Sequence, residues 1–360
     1  MKMKVLTVIG ARPQFVKAGA LSRAFQKNDR IEEVIVHTGQ HFDENMSDVF
    51  FEEMNIPKPK YNLQINSLDH GAMTGRMLEG IEEIIKTEKP NLLLVYGDTN
   101  STLAGALAAK KLHVKVAHVE AGLRSFNMEM PEEVNRILTD RISDYLFCPT
   151  DTAIENLELE GYGNIDCDIV KSGDVMQDAA YFYAELAPEK STVIAELGLE
   201  KFCLATLHRA ENTNDSEKLK GIVNALNEIH ANQIPVVLPL HPRTKGKLEA
   251  FGLELKVKTI DPVGYFDMIE LIKHCDLVMT DSGGLQKEAF FFKKHCITMR
   301  EQTEWVELIR EGVNVLVGSD QSKIKEAVKQ MLNKHSDFEK DLYGNGKACE
   351  NIINHLLKEN

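Results

Sequence analysis

Thr280-Asp281-Ser282-Gly283-Gly284-Leu285-Gln286-Lys287-Glu288-Ala289 continues the apolar run that begins at Leu277 and leads into a helical pattern. Strand, glycine turn and helix in that order form one βα unit, the building block of a parallel sheet. Such a turn aims free backbone N–H groups at a bound anion. Ser282 adds a hydroxyl, and neither Gly283 nor Gly284 carries a side chain that would keep a phosphate away. Glu288 lies one helical turn further on, where a carboxylate can accept both hydroxyls of a ribose. Short Val-, Ile- and Leu-rich runs of the same kind recur on either side. In the second half they are Cys203 to Leu207, Val236 to Leu240, Val257 to Ile260, Cys296 to Met299 and Val313 to Val317. The first half has Val5 to Ile9, Val34 to Thr38, Leu92 to Tyr96, Val114 to Val119 and Tyr145 to Cys148. Helical periods separate them, as in Met77, Leu78, Ile81, Ile84 and Ile85. The expected class is α/β throughout, with one sheet in each half.

A chain of 360 residues exceeds the roughly 250 to 300 at which a single core stops growing, so two domains are expected. The polar stretch around Ala184 to Ser191, with Pro188, marks the hinge. The expected division is 1–186, 187–340, and a C-terminal helix over 341–360 that returns to the first domain. Lys and Arg number 42 against 55 Asp and Glu, a formal charge of −13, which argues against a nucleic-acid partner. No apolar run approaches the ~20 residues of a membrane span, and the first residues do not read as a secretory signal, so a cytoplasmic protein is expected. Six cysteines occur singly and read as reduced core residues, neither disulfides nor zinc ligands.

Polar side chains cluster where strands end, the edge at which open α/β sheets bind ligands. After the first strand, Gly10-Ala11-Arg12-Pro13-Gln14-Phe15-Val16-Lys17 opens a helix. It lacks the second and third glycines of the dinucleotide fingerprint, which disfavours a nicotinamide cofactor. Arg12 and Lys17, five residues apart, suit a diphosphate. Asp98 and Glu120 each follow a strand directly, and with Glu132 they form a candidate carboxylate cluster. Cations Arg124 and Arg136 lie close by in sequence. Further on, His208-Arg209 and His241-Pro242 follow successive strands. They read as an anion-facing pair and a second candidate histidine, because no short-spaced His or Cys set completes a metal site.

These segments together resemble the bacterial non-hydrolysing UDP-N-acetylglucosamine 2-epimerases. The matching motifs are Gly10 to Lys17, Gly97-Asp98-Thr99, His118 to Arg124, Pro131-Glu132-Glu133 with Asn135-Arg136, His208-Arg209, His241-Pro242, and Asp281 through Glu288. They run in family order along nearly the whole chain. The resemblance implies two Rossmann-like domains facing across a cleft, as in GT-B glycosyltransferases, a homodimer, a UDP-sugar substrate, and no metal or other cofactor. It assigns Asp98, Glu120 and Glu132 to the sugar and His208 to the β-phosphate or leaving oxygen. Arg12, Lys17, Ser282, Gly283 and Gly284 are assigned to the diphosphate and Glu288 to the ribose, with Arg136, Arg209 and His241 also at the substrate.

Two departures bear on substrate and control. Common members carry T-E-R-P-E where this chain reads Thr303-Glu304-Trp305-Val306-Glu307. That variant is similar to the branch acting on UDP-2,3-diacetamido-2,3-dideoxyglucuronate in surface polysaccharide synthesis. In that branch Trp305 is expected to wall the pocket against the 3-acetamido methyl, and Arg124, Arg136 or Arg209 to take the carbon-6 carboxylate. The stretch Gln40 to Met46 departs from the Q-H-x-x-M pattern of members activated by a second UDP-sugar. The rival readings are a hydrolysing 2-epimerase, a GT-B glycosyltransferase and a non-catalytic nucleotide-sugar sensor.

Overall fold

The structure is a computed structural model describing residues 2–40 and 56–358, without the side chains of Arg12 and Pro13. It divides into two compact units: residues 1–179 with 341–360, and residues 180–340.

The first unit is built on a seven-stranded sheet. Its strands are β1 (Met3–Ile9), β2 (Ile31–His37), β3 (Tyr61–Asn62), β4 (Leu92–Tyr96), β5 (Lys115–Val119), β6 (Tyr145–Cys148) and β7 (Asp168–Lys171). They lie in the order β3-β2-β1-β4-β5-β6-β7, every pair parallel. All five residues of β4 are buried. Helices cover both faces of such a sheet, which is why its central strands read as continuous apolar runs instead of alternating ones. Five strands fall where the apolar runs place them, with ends within three residues. The two that the pattern missed are β3, only two residues long, and β7, whose burial is partial. Both are edge strands, where a one-sided environment demands no apolar run.

Helices α1 (Arg12–Gln26), α2 (His70–Glu88), α3 (Asn100–Lys111), α4 (Pro131–Ile142) and α5 (Val175–Lys190) follow in chain order. The unit division falls inside α5, between Ala179 and Ala180. The chain returns at 341, and the C-terminal helix Ala348–Lys358 begins on Asp178, whose carboxylate accepts the Ala348 and Cys349 N–H groups at 3.0 and 2.9 Å.

The second unit repeats the plan with six parallel strands. They are β8 (Cys203–Thr206), β9 (Val236–Pro239), β10 (Lys258–Ile260), β11 (Leu277–Thr280), β12 (Cys296–Thr298) and β13 (Asn314–Leu316), in the order β10-β9-β8-β11-β12-β13. All six coincide with expected runs. Helices α6 (Ser216–Asn232) and α9 (Gln321–Leu332) cover one face of this sheet, burying Leu219, Ile222, Leu226, Ile324 and Val328 against it. The Pro242–Ala250 and Gly283–Phe291 helices, α7 and α8, start at the carboxyl ends of β9 and β11.

One acid is partly buried at a cost. Glu33 on β2 accepts a hydrogen bond from the buried Thr7 hydroxyl at 2.5 Å, and burial raises its carboxyl to about 7 against that partly offsetting bond. A raised carboxyl favours folding while protonated. Its contribution is complete below the unfolded value of ~4.3 and is lost as pH rises through about 7. Glu33→Gln is therefore expected to stabilise the protein at pH 8 by about 1 to 3 kcal/mol, with the gain fading toward pH 4.5. Urea denaturation at the two pH values measures it; a loss of stability at pH 8 would contradict the buried-acid account.

Candidate functional site

In the first unit the sheet order reverses between β1 and β4, and the loops leaving those strands diverge there, opening the crevice where α/β sheets take ligands. Gln14, buried in the first turn of α1, holds the two loops in register. Its side-chain oxygen accepts the Gly10 and Ala11 N–H groups at 2.8 and 3.0 Å, and its amide donates to the Tyr96 carbonyl at 2.8 Å. Lys17 on α1 pairs with Glu120, which leaves β5. Both lie beside Gly97: a methyl group there would come within 3.3 Å of Glu120 Oε2 and 3.6 Å of Lys17 Nζ. Gly97 has φ 62°, a left-handed conformation natural to glycine, and Glu120 shares it at φ 71°. For a residue with a side chain that conformation costs about 1 to 3 kcal/mol and persists only where neighbours impose it.

Asp98 pairs with Arg136 of α4. Arg136 also donates to Glu133 at 2.7 Å, while the Asn135 amide donates to the Asp98 carbonyl at 2.9 Å. Pro131 starts α4 with its ring-fixed φ, and Glu132 and Glu133 follow in the first turn, where acids suit the helix dipole. These two acids part ways. Glu132 is exposed, whereas Glu133 is buried and accepts the Ser125 N–H and hydroxyl and the Phe126 N–H, all within 3.1 Å. Burial works to raise the Glu133 carboxyl, but these donors and Arg136 outweigh it and hold it below the usual range. Asp98, Glu120, Lys17 and Arg136 are thus brought together as two ion pairs. Arg12 opens α1, its side chain outside the description, and residues 41–46 of the candidate activator stretch also lie outside the described residues.

The second unit has its own reversal between β8 and β11. Fully buried Asp281 joins the two strand ends, accepting the His208 and Arg209 N–H groups at 3.0 and 2.9 Å. His208 keeps its ring half-exposed, with Nδ1 3.4 Å from Asp281. Ser282 precedes α8 without its side chain capping the helix, so the hydroxyl is not consumed by the first turn. Arg209 Nη2 would stand 3.5 Å from a methyl group on Gly283, and Glu304 Oε1 only 2.6 Å away, so residue 283 has to be glycine for these groups to close in. Arg300 holds Glu304 at 3.1 Å. Glu288 on α8 is largely buried, and Tyr265 donates its hydroxyl to it at 3.1 Å. His241 acts locally, preceding α7 with its Nδ1 accepting the Arg243 N–H at 3.2 Å. No group of three or more His, Cys, Asp or Glu among the described residues could hold a metal ion, and no described helix is long and apolar enough to cross a membrane.

A family model described as UDP-N-acetylglucosamine 2-epimerase matches residues 23–357. The chain belongs to that family. It is 59% identical over 356 residues to the UDP-2,3-diacetamido-2,3-dideoxy-D-glucuronate 2-epimerase of Pseudomonas aeruginosa, covering 99% of this chain and all of that one. The UDP-N-acetylglucosamine 2-epimerase of Methanocaldococcus jannaschii is 45% identical over 362 residues, with 98% of each chain covered. A crystal structure of that archaeal enzyme in complex with UDP-GlcNAc and UDP matches at TM-score 0.85, over 99% of this chain and the whole of the other.

Within this family frame two expectations change. Trp305 is 6% exposed, its indole N–H donates to the Gly283 carbonyl at 2.9 Å, and Lys287 Nζ lies 4.0 Å from the centre of its ring. A ring so enclosed packs behind the glycine turn and offers no open wall to a substrate methyl. Arg124 is also committed, to Asp140 and Glu160, with its side chain 1% exposed, which removes it as a receptor for a sugar carboxylate. The indole supports the turn, so Trp305→Phe, which keeps the packing and deletes one donor, is expected to weaken UDP binding by about 0.5 to 1.5 kcal/mol. Calorimetric titration with UDP measures this; unchanged affinity would show that the Gly283 peptide holds its orientation without the indole.

Proposed function

We propose that this protein inverts carbon 2 of a UDP-2-acetamido sugar without hydrolysing it, and that its substrate is UDP-2,3-diacetamido-2,3-dideoxyglucuronate. The observation that carries the reaction is the double ion pair of the first unit, Glu120 with Lys17 and Asp98 with Arg136, at the reversal of a parallel sheet. Support for the substrate comes from 59% identity to the Pseudomonas aeruginosa enzyme of that name, against 45% to the UDP-N-acetylglucosamine enzyme of Methanocaldococcus jannaschii.

Carbon 2 of such a sugar has no neighbouring carbonyl to hold negative charge, so direct deprotonation is unfavourable. Breaking the anomeric carbon–oxygen bond first sends that electron pair to UDP and leaves an oxocarbenium-like sugar whose carbon-2 proton is acidic. A base removes the proton and a glycal forms. An acid then protonates carbon 2 on the opposite face, and the β-phosphate oxygen returns to carbon 1. Nothing is consumed.

Carboxylates near the sugar serve both the developing positive charge and the proton transfers, and Asp98, Glu120 and Glu132 take that part. Cations and backbone N–H groups stabilise departing UDP. Those are Arg12, Lys17, Arg209 and the start of α8 at Ser282, Gly283 and Gly284, with His208 at the β-phosphate and Glu288 on the ribose. Arg136 orients Asp98, and His241 acts through the start of α7. The enzyme works as a cytoplasmic homodimer, which sedimentation analysis checks.

Two outcomes test this reading. In deuterium oxide the product is expected to carry deuterium at carbon 2 from the earliest turnovers; product without it points to a route that retains the proton. The diacetamido uronate is expected to show kcat/KM at least ~10-fold above UDP-N-acetylglucosamine, which needs about 1.4 kcal/mol of differential transition-state binding. Comparable values would reject the substrate preference and leave the epimerase reading in place.

A further inference from the structure

We propose that His118 is a positioning residue for this reaction, held as an imidazolium that fixes the turn bearing Asp98 relative to the turn bearing Glu120. The role in catalysis rests on the epimerase reading above. His118 is fully buried on β5, two residues before Glu120. Its Nδ1 lies 2.7 Å from Asp140 Oδ1 and its Nε2 lies 2.7 Å from the Gly97 carbonyl oxygen. A carbonyl oxygen only accepts, and so does an ionised carboxylate, so both ring nitrogens have to donate. Only the doubly protonated ring does so; a neutral ring would turn a lone pair toward one of the two oxygens at hydrogen-bonding distance.

Asp140 is buried on α4, and burial pushes its carboxyl up, but His118 and Arg124 outweigh burial and hold it below its ordinary value. Its second oxygen accepts from Arg124 Nη1 at 2.7 Å and from the Gly122 N–H at 3.1 Å. Arg124 in turn forks onto Glu160 at 2.7 and 2.8 Å. Two cations and two carboxylates close on one another, the condition under which charge survives burial.

Asp140 therefore grips the chain on both sides of Glu120, through Gly122 after it and through His118 before it. That is the over-determination a left-handed Glu120 requires. His118 carries the same restraint to Gly97, whose own N–H donates to the Val119 carbonyl at 3.0 Å. One imidazole thus ties together the two turns whose acids are assigned to the sugar, while itself bonding, among the described residues, to Asp140 and Gly97. Small displacements of reacting groups are expensive in rate, so the effect belongs in kcat and not in nucleotide affinity.

The test uses the full-length protein. Heteronuclear NMR with labelled histidine is expected to show protons on both His118 ring nitrogens at neutral pH, a result independent of any substrate; a single proton overturns the proposal. His118→Gln places an amide near the Nε2 position and keeps a donor for Gly97, whereas His118→Asn keeps one for Asp140 and abandons Gly97. His118→Asn is expected to lower kcat by on the order of 10- to 100-fold, with His118→Gln recovering most of the loss. UDP affinity of both variants should stay within roughly 2-fold of the parent. Parent-like kcat in His118→Asn overturns the proposal, as does a loss of kcat and UDP affinity in step in both variants, which marks general loosening. A parent protein that epimerises no UDP-2-acetamido sugar overturns the functional reading and the catalytic role with it, and the protonation of the ring is still read directly.

Discussion

Parallel pairing of β1 with β4, and of β8 with β11, reverses the direction in which each sheet grows. Every candidate functional side chain depends on that constraint. Parallel strands deliver their carboxyl ends to one edge, and at a reversal the loops leaving neighbouring strands turn away from each other instead of crossing. Such a reversal is where open α/β sheets take ligands. In the first unit this crevice receives Gly10 and Gly97, and in the second His208 and Ser282. Both sheets are covered on their faces, so the strand-end edge is where charged groups can gather.

Charge then has to be held in place without being neutralised into inertness. Lys17 and Arg136 each take one acid of the first unit, and Glu133 in the first turn of α4 and Asp140 two turns further on anchor the loop of Ser125 and the turn of Gly122. Helix α4 thereby acts as a rigid rod bearing the supports of two strand-end turns. A helix suits this because residues three and four apart share a face, as Glu133, Arg136 and Asp140 do. The second unit solves the same problem with one carboxylate, Asp281, which accepts the His208 and Arg209 backbone N–H groups and the Asn212 side-chain amide. Its own charge is balanced by peptide dipoles, which leaves Arg209 beside the glycine turn.

Much of this is legible in the chain, and the gaps have physical causes. Buried parallel strands announce themselves as apolar runs, and glycine turns mark where backbone must double back. Edge strands β3 and β7 lack the run because half of their surroundings is solvent. The division between units falls within α5, where a continuous helix gives no Gly or polar break, a few residues before Pro188 and the polar stretch around it. Glu132 and Glu133 are adjacent and alike in composition, yet one faces water and the other binds four donors. Nothing in sequence separates neighbouring acids on a helix before the partner loop at Ser125 is placed. Trp305 is the opposite case: the departure from the family pattern is plain to read, while its consequence depends on the Gly283 carbonyl and Lys287, some twenty residues away.

What the amino-acid order determined by itself is the α/β class, most of the strands, the family, and which polar residues stand at the strand ends as candidates for a site. Those follow from local rules, namely hydrophobic period, turn chemistry and motif spacing, which act over a few residues at a time. Tertiary structure alone decided which acid meets which cation, that Trp305 and Arg124 are enclosed, and that His118 lies between a carboxylate and a carbonyl. These are contacts between elements 16 to 103 residues apart in the chain. Such pairings are set by strand order and helix placement, quantities that no local pattern encodes, because they emerge only when two sheets have each buried both faces.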